Sequence, residues 1–285
     1  MACSSITSFG SFLDSSTYHF FTDSKRFEDK CSHIGFIDKI FKTADPIFDL
    51  AEEVAKSHDA SIDVIQGLGK GRELARAGRD ATAFFNIFQG AIPSLIRSVK
   101  NVIVLLKALR KGKDGVLKKP AKGEKPQYNE IATTPAEKRW SLVENVGKIV
   151  GGASFVVGFG VCRPIGTVEK YISRNIDPTA KEIGKAFPTV MLVTHVSGVV
   201  SSTCGLVFQQ LAYDRAIASN NYKADDVTKE YRKKMLENGV ALSQKSIELV
   251  NSTLYHLGTV VPAAARISLN LAAGLLSVVK ELIRK

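Results

Sequence analysis

The chain has 285 residues, enough for one large domain or two ordinary ones and for a substantial buried core. Its 39 basic and 28 acidic residues give a formal charge of +11, which favours anionic partners; with one tryptophan and no aromatics interleaved among the basic residues, there is no stacking platform for single-stranded nucleic acid, and none is expected as a partner. The four cysteines, Cys3, Cys31, Cys162 and Cys204, make no close pair, which argues against a zinc site or a disulfide framework and for reduced or packed thiols.

The first two dozen residues carry no Lys or Arg, so they lack the basic opening of a Sec signal peptide. Residues 1–33 read as a flexible, Ser/Thr-rich leader, a composition shared by type III secretion leaders and ordinary termini. Residues 34–110 form an amphipathic helical region. Ile37, Ile40 and Phe41 share one side of a first helix, and Asp45 before Pro46 reads as an N-cap followed by proline at the first helical position. The helix from Pro46 turns Ile47, Leu50, Ala51 and Val54 to one face and leaves Glu52, Glu53 and Lys56 outside.

The glycines of 67–71, GLGKG, invite a phosphate-binding reading. A Walker A loop needs GxxxxGK[ST] after a buried strand, whereas Arg72 follows Gly71 here and the preceding residues have helical spacing. They read as a flexible or closely packed helix junction. Over 84–109 an apolar stripe including Leu95, Val99 and Leu106 runs at helical spacing, bordered by Arg97, Lys100, Lys107 and Arg110. That pattern suits an anionic membrane surface and equally a bundle helix facing protein.

Residues 111–138, rich in lysine, glycine and proline, cannot bury enough surface to offset the entropy of ordering them, and read as a basic disordered linker. The hydrophobic region 139–285 follows. Lys138, Arg139 and Trp140 resemble the cytosolic edge of a membrane helix. Residues 149–162 are uncharged up to Arg163, with Ile149, Phe155, Val157 and Phe159 as candidate membrane-spanning residues. Residues 186–213 run 28 positions without a charge, beyond the roughly 20 that a helix needs to cross a bilayer, with Val190, Leu192, Val199, Leu206 and Phe208 as candidates. The two segments, flanked by Pro164 and Pro188, read as a helical hairpin over 142–213. Gly147 and Gly151 in the first, with Ser197, Ser201 and Gly205 in the second, put small residues at the spacing that lets helices approach closely.

Beyond Tyr213 a polar helix opens at Asp225 and Asp226. The last apolar stretch is interrupted by Pro262 and Arg266, and its uninterrupted run of 13 residues, 267–279, is short of a span. The fold class is therefore all-α: amphipathic helices plus a hydrophobic hairpin, either membrane-inserted or buried in a helical bundle. The histidines are scattered without metal-ligand spacing, and no GxSxG nucleophile occurs. No enzyme activity, catalytic residue, metal or cofactor is expected. His195 stands out as an ionisable group within an uncharged run, against the simpler reading of a neutral core histidine.

Three segments carry a resemblance: DVIQGLGKGRELARAGRDATAFFNIFQGAIPSLIRSVKNVI, GGASFVVGFGVCRPIGTVEKYI and VMLVTHVSGVVSSTCGLVFQQLAYDRA, with GLG, FNxFxGAxP and GFGxxRPI as their sharpest points. In order, from about residue 64 to residue 216, they resemble the chlamydial inclusion membrane protein group. The resemblance implies a type III secreted, non-enzymatic scaffold or interaction protein in the membrane of the bacterium-containing vacuole, its polar regions facing host cytosol. It brings no catalytic residues. Its typical paired hydrophobic lobes are joined by a short loop, and the connection here is long. The expected partners are a membrane with anionic lipid and a second copy of the chain; the sequence names no host protein. Two alternatives stay open: a membrane-shaping protein acting through its amphipathic helices, and a soluble all-α effector.

Overall fold

Helix α1 (Lys25–Ser57) and helix α2 (Ile62–Asn86) form an antiparallel pair joined by a short turn in which Asp59 takes a left-handed φ of 51°, a conformation that aspartate tolerates better than most residues. The computed structural model describes residues 25–118, 127–171, 177–219, 222–256 and 262–284. Residues 1–24 of the expected leader lie outside them, and from Lys25 the chain is already helical. Pro46 does not start a helix as expected but sits inside α1. Asp45 is turned across to α2 instead of capping, accepting from Arg76 Nε at 2.8 Å and Arg79 Nη1 at 3.0 Å.

The α1–α2 seam carries polar and charged pairs between its aromatic contacts. Thr82 Oγ1 donates to Asp38 Oδ1 at 2.9 Å, and Arg72 Nη1 reaches both Asp49 and Glu52 at 2.8 Å. This corrects the expected facing of the stretch after Pro46: Glu52 is 7% exposed while Ile47, Leu50 and Val54 lie open, and Glu53 and Lys56 are outside as expected. Helical periodicity defines faces, and here the one bearing Asp38, Asp45 and Glu52 is turned inward. Glycines let the two helices close up, since a Cβ on Gly71 or Gly78 would meet the rings of Phe48 and Phe41. The GLGKG stretch is uninterrupted helix.

Helix α2 runs without a break through a π turn (Ile87–Ala91) into α3 (Ile92–Lys111), which Gly112 closes at φ 63°. Helix α4 (Pro135–Val157) runs likewise through a second π turn (Gly158–Cys162) into α5 (Arg163–Tyr171). Both π turns end two residues before a proline, Pro93 and Pro164. A proline lacks an N–H and its ring collides with the carbonyl four residues back, and one widened turn relieves both defects without ending the helix. The motifs FNxFxGAxP and GFGxxRPI thus encode one device twice. The two turns also meet, with a Cβ on Gly160 falling 3.4 Å from Ile87 Cδ1.

Helices α6 (Pro178–Lys185), α7 (Phe187–Ser219), α8 (Ala224–His256) and α9 (Ala263–Arg284) complete the chain. Helix α3 packs on α4, α4 on α7, α7 on α8, α8 on α9 and α9 back on α1, so the long helices close into a ring.

At one end of the ring the expected linker is partly built into the fold. Gly115–Val116 (β1) pairs antiparallel with Ile131–Ala132 (β2), with Gly115 opposite Ala132, and Tyr128 and Ala132 are buried. Residues 119–126 lie outside the described residues. This clip anchors two apolar clusters: Leu105, Ala132 and Phe208, and Tyr128 with Ala212, Ala216 and Val227. Arg215 of α7 locks it, its Nε donating to Glu137 Oε1 at 2.8 Å and its Nη2 to the carbonyls of Tyr128 and Ile131 at 2.7 and 3.0 Å. Glu137 also completes a capping box with Thr134, its Oε2 accepting from Thr133 N at 2.7 Å. Arg215→Ala leaves a buried carboxylate unpaired, and a loss of about 3 kcal/mol is expected. Thermal unfolding and faster trypsin cleavage within 111–138 check it.

Candidate functional site

Along the seam between α4 and α7 the buried residues are mostly small or polar, and the side chains turned outward are apolar. In α4 the buried residues are Glu137, Lys138, Ser141, Asn145 and Gly147, and in the middle of α7 they are Thr194, Ser197, Ser201, Cys204 and Gly205. On the opposite face of α7, Val193, Val196 and Val200 are 41%, 44% and 41% exposed. Val146, Val150 and Val157 of α4 are open too. A water-soluble bundle does the reverse, because burying large apolar side chains is what holds it together. In lipid no hydrophobic effect joins helices, and small residues, close backbone approach and polar contacts take over.

Three helical stretches are long and apolar enough to cross a membrane: Pro135–Val168, Pro178–Ser219 and Ala263–Ile283. The third corrects the sequence reading. Pro262 lies just before the helix rather than within it, and Arg266 falls in its first turns, where a long side chain can reach back to the interface.

The five small residues expected at a helix seam meet between α4 and α7. A Cβ on Gly147 would lie 3.0 Å from Ser201 Cβ and 3.2 Å from the Ser197 carbonyl oxygen, one on Gly151 3.3 Å from Ser197 Cβ, and one on Gly205 3.1 Å from Glu144 Oε1.

The structure redistributes the other expected residues. Phe208 packs against Leu105 in the clip core, where the clip covers that end of α7. Phe155 and Phe159 line a half-open cavity, half-buried, while Val157 is exposed; Ile149, Val190, Leu192, Val199 and Leu206 are half-buried. Arg139 and Trp140 are exposed, but Lys138 is only 4% exposed, since helical spacing sets it on the inner face with Ser141 and Asn145. Arg163 donates to Asp80 Oδ2 from Nη2 at 2.9 Å, and its guanidinium lies 5.5 Å from the centre of the Phe187 ring. Leu95 rests over Gly152 of α4 and Val99 is half-buried, whereas Leu106 is exposed.

The cavity, about 330 Å³ and half-open, is lined by residues of α1, α2, α4, α7, α8 and α9 and of the second π turn. Its centre is Glu248 of α8. One carboxylate oxygen accepts from Lys42 Nζ and, at 2.8 Å, from Gln244 Nε2; the other accepts from Lys245 Nζ at 2.7 Å and stands 3.2 Å from His195 Nδ1. That last contact falls outside hydrogen-bond geometry and leaves Nδ1 unpartnered. Lys245 lies over Gly198, whose Cβ would touch Lys245 Cδ at 2.8 Å. The cluster therefore sits level with the middle of the uncharged run 186–213.

Sequence reasoning singled out His195 but missed the charged residues near it, Glu248 and Lys245 on α8 and Lys42 on α1. The capping box Thr134–Glu137 was present as T-x-x-E and also passed over. Among the described residues, no group of three or more His, Cys, Asp or Glu is placed to hold a metal. Compared with known protein families, curated proteins and solved structures, the chain matches none.

Proposed function

We propose that this chain is an integral helical membrane protein that acts as a non-enzymatic scaffold in the membrane of a pathogen-containing vacuole, delivered there by type III secretion. The observation that carries the membrane part is the inverted burial of α4 and α7, with Ser, Thr and Gly inside and valines outside. The vacuole, the secretion route and the host-facing role are supported by the resemblance of residues 64–216 to chlamydial inclusion membrane proteins.

Orientation follows from charge. Arg110, Lys111, Arg139, Lys229, Arg232 and Lys233 gather where α3 ends and where α4 and α8 begin, the clip end, and basic residues collect on the cytosolic side of membrane helices. The clip end then faces host cytosol as the docking platform, and α6 lies on the far side. Helix α8 is too polar to be a span by itself, but Glu248 is buried in the ring and Lys245 is half-buried beside it, against α7.

Alkaline carbonate extraction of cells expressing the full chain tests insertion, and protease access to tags at 111–138 and 172–176 tests orientation. The protein is expected in the membrane pellet, with only the first tag cut from the cytosol. Complete release into the soluble fraction overturns the proposal.

A further inference from the structure

Glu248 is one carboxylate serving two ammonium groups. Among the described residues neither Lys42 nor Lys245 pairs with a second carboxylate, and each shows a single hydrogen bond where an ammonium has three N–H donors. The other two carboxylates of the cavity wall are engaged elsewhere, Asp45 by Arg76 and Arg79, and Asp38 by Thr82 and Lys39. The Glu248 cluster therefore carries two ammonium groups to one carboxylate, and the lysine side chains, 28% and 31% exposed, present their spare N–H donors to the half-open cavity.

The opposite wall of the cavity is aromatic. Phe155, Phe159 and Phe187 form a contiguous group with ring centres 4.8 and 5.3 Å apart. Phe187 and His195 lie eight residues apart on α7, so about 12 Å separates the aromatic level from the charged one.

We propose that this cavity binds a small organic monocarboxylate, its carboxylate taking the spare N–H donors of Lys42 and Lys245 and its apolar group resting on Phe155, Phe159 and Phe187. The surplus is one charge, which a monoanion balances and a phosphate dianion overshoots. A bare inorganic anion leaves the aromatic end of an approximately 330 Å³ space unfilled. The inference rests on the cavity and not on the membrane in which the bundle is proposed to sit, so each can fail without the other.

The test uses the purified full chain in nanodiscs, with fluorophenylpropionate as probe, its uncharged carboxamide as comparison and empty nanodiscs as blank, read by fluorine NMR line broadening. Saturable binding of the acid is expected, with the amide at least about tenfold weaker, because a hydrogen bond to a charged group contributes roughly 1.5–3 kcal/mol. Lys245→Met, which leaves Glu248 paired with Lys42, is expected to weaken binding about tenfold or more, Lys245→Arg to retain most of it, and Phe159→Ala to weaken it while sparing the preference for acid over amide. No saturable binding by the unaltered protein, equal binding of acid and amide, or full binding by a folded Lys245→Met protein each overturns the proposal.

Discussion

Glu248→Leu is expected to lower the unfolding free energy by about 3–5 kcal/mol, the largest effect of any single substitution in the cavity. The loss comes less from the missing ion pairs than from what stays behind. Lys42 and Lys245 face one another inside the ring with no carboxylate between them, and His195 loses its neighbour. Removing the stranded charges should therefore undo most of the damage. In the triple variant Lys42→Met, Lys245→Met and Glu248→Leu, apolar side chains of similar length fill the same space, and stability is expected to return to within about 1–2 kcal/mol of the starting protein. Melting curves in detergent check both, and a triple variant as unstable as the single one would show that burial of charge is not what the cluster balances.

The second large effect is on insertion. Val193→Asp, Val196→Asp and Val200→Asp place three carboxylates on the exposed face of α7, near the middle of its uncharged run. At the centre of a bilayer each costs about 2.5–3.5 kcal/mol on insertion scales, so together they are expected to abolish stable integration. On a face bathed in water the same changes each cost within about 0.5 kcal/mol. The fraction of protein resisting carbonate extraction separates the outcomes, and undiminished resistance would mean that this face does not meet lipid.

Much of the architecture was legible in the sequence, for particular reasons. Small residues at four-residue spacing marked the α4–α7 seam because close approach needs them in any solvent, and Gly147, Gly151, Ser197, Ser201 and Gly205 all lie in it. The direction of each face was not legible. Periodicity says that Ile47, Leu50 and Val54 share one side of α1 and that Glu52 does not, yet it is silent on which side meets protein. Only the basic side chains of α2, Arg72 to Arg79, reveal that the acidic side of α1 is the inner one, and those contacts span 23 residues or more. The Glu248 cluster was further out of reach, since Lys42 and Glu248 are 206 positions apart and meet only when α9 closes the ring between α8 and α1. The linker was read as disordered from composition, and at 115–118 and 127–132 that reading fails because Tyr128, Ala132 and the Arg215 lock supply burial that composition does not register.

The central claim is that the outer valines of α7 lie against lipid tails. A nitroxide at Val196→Cys, in a protein whose four native cysteines are replaced by alanine and which is reconstituted into bilayers, reports this through its collisions with dissolved oxygen and with a water-soluble nickel chelate. The account predicts frequent collision with oxygen and shielding from nickel at Val196, with the reverse for a nitroxide at the exposed Lys229 near the clip end. A nitroxide at Val196 as open to nickel as the one at Lys229 would contradict it.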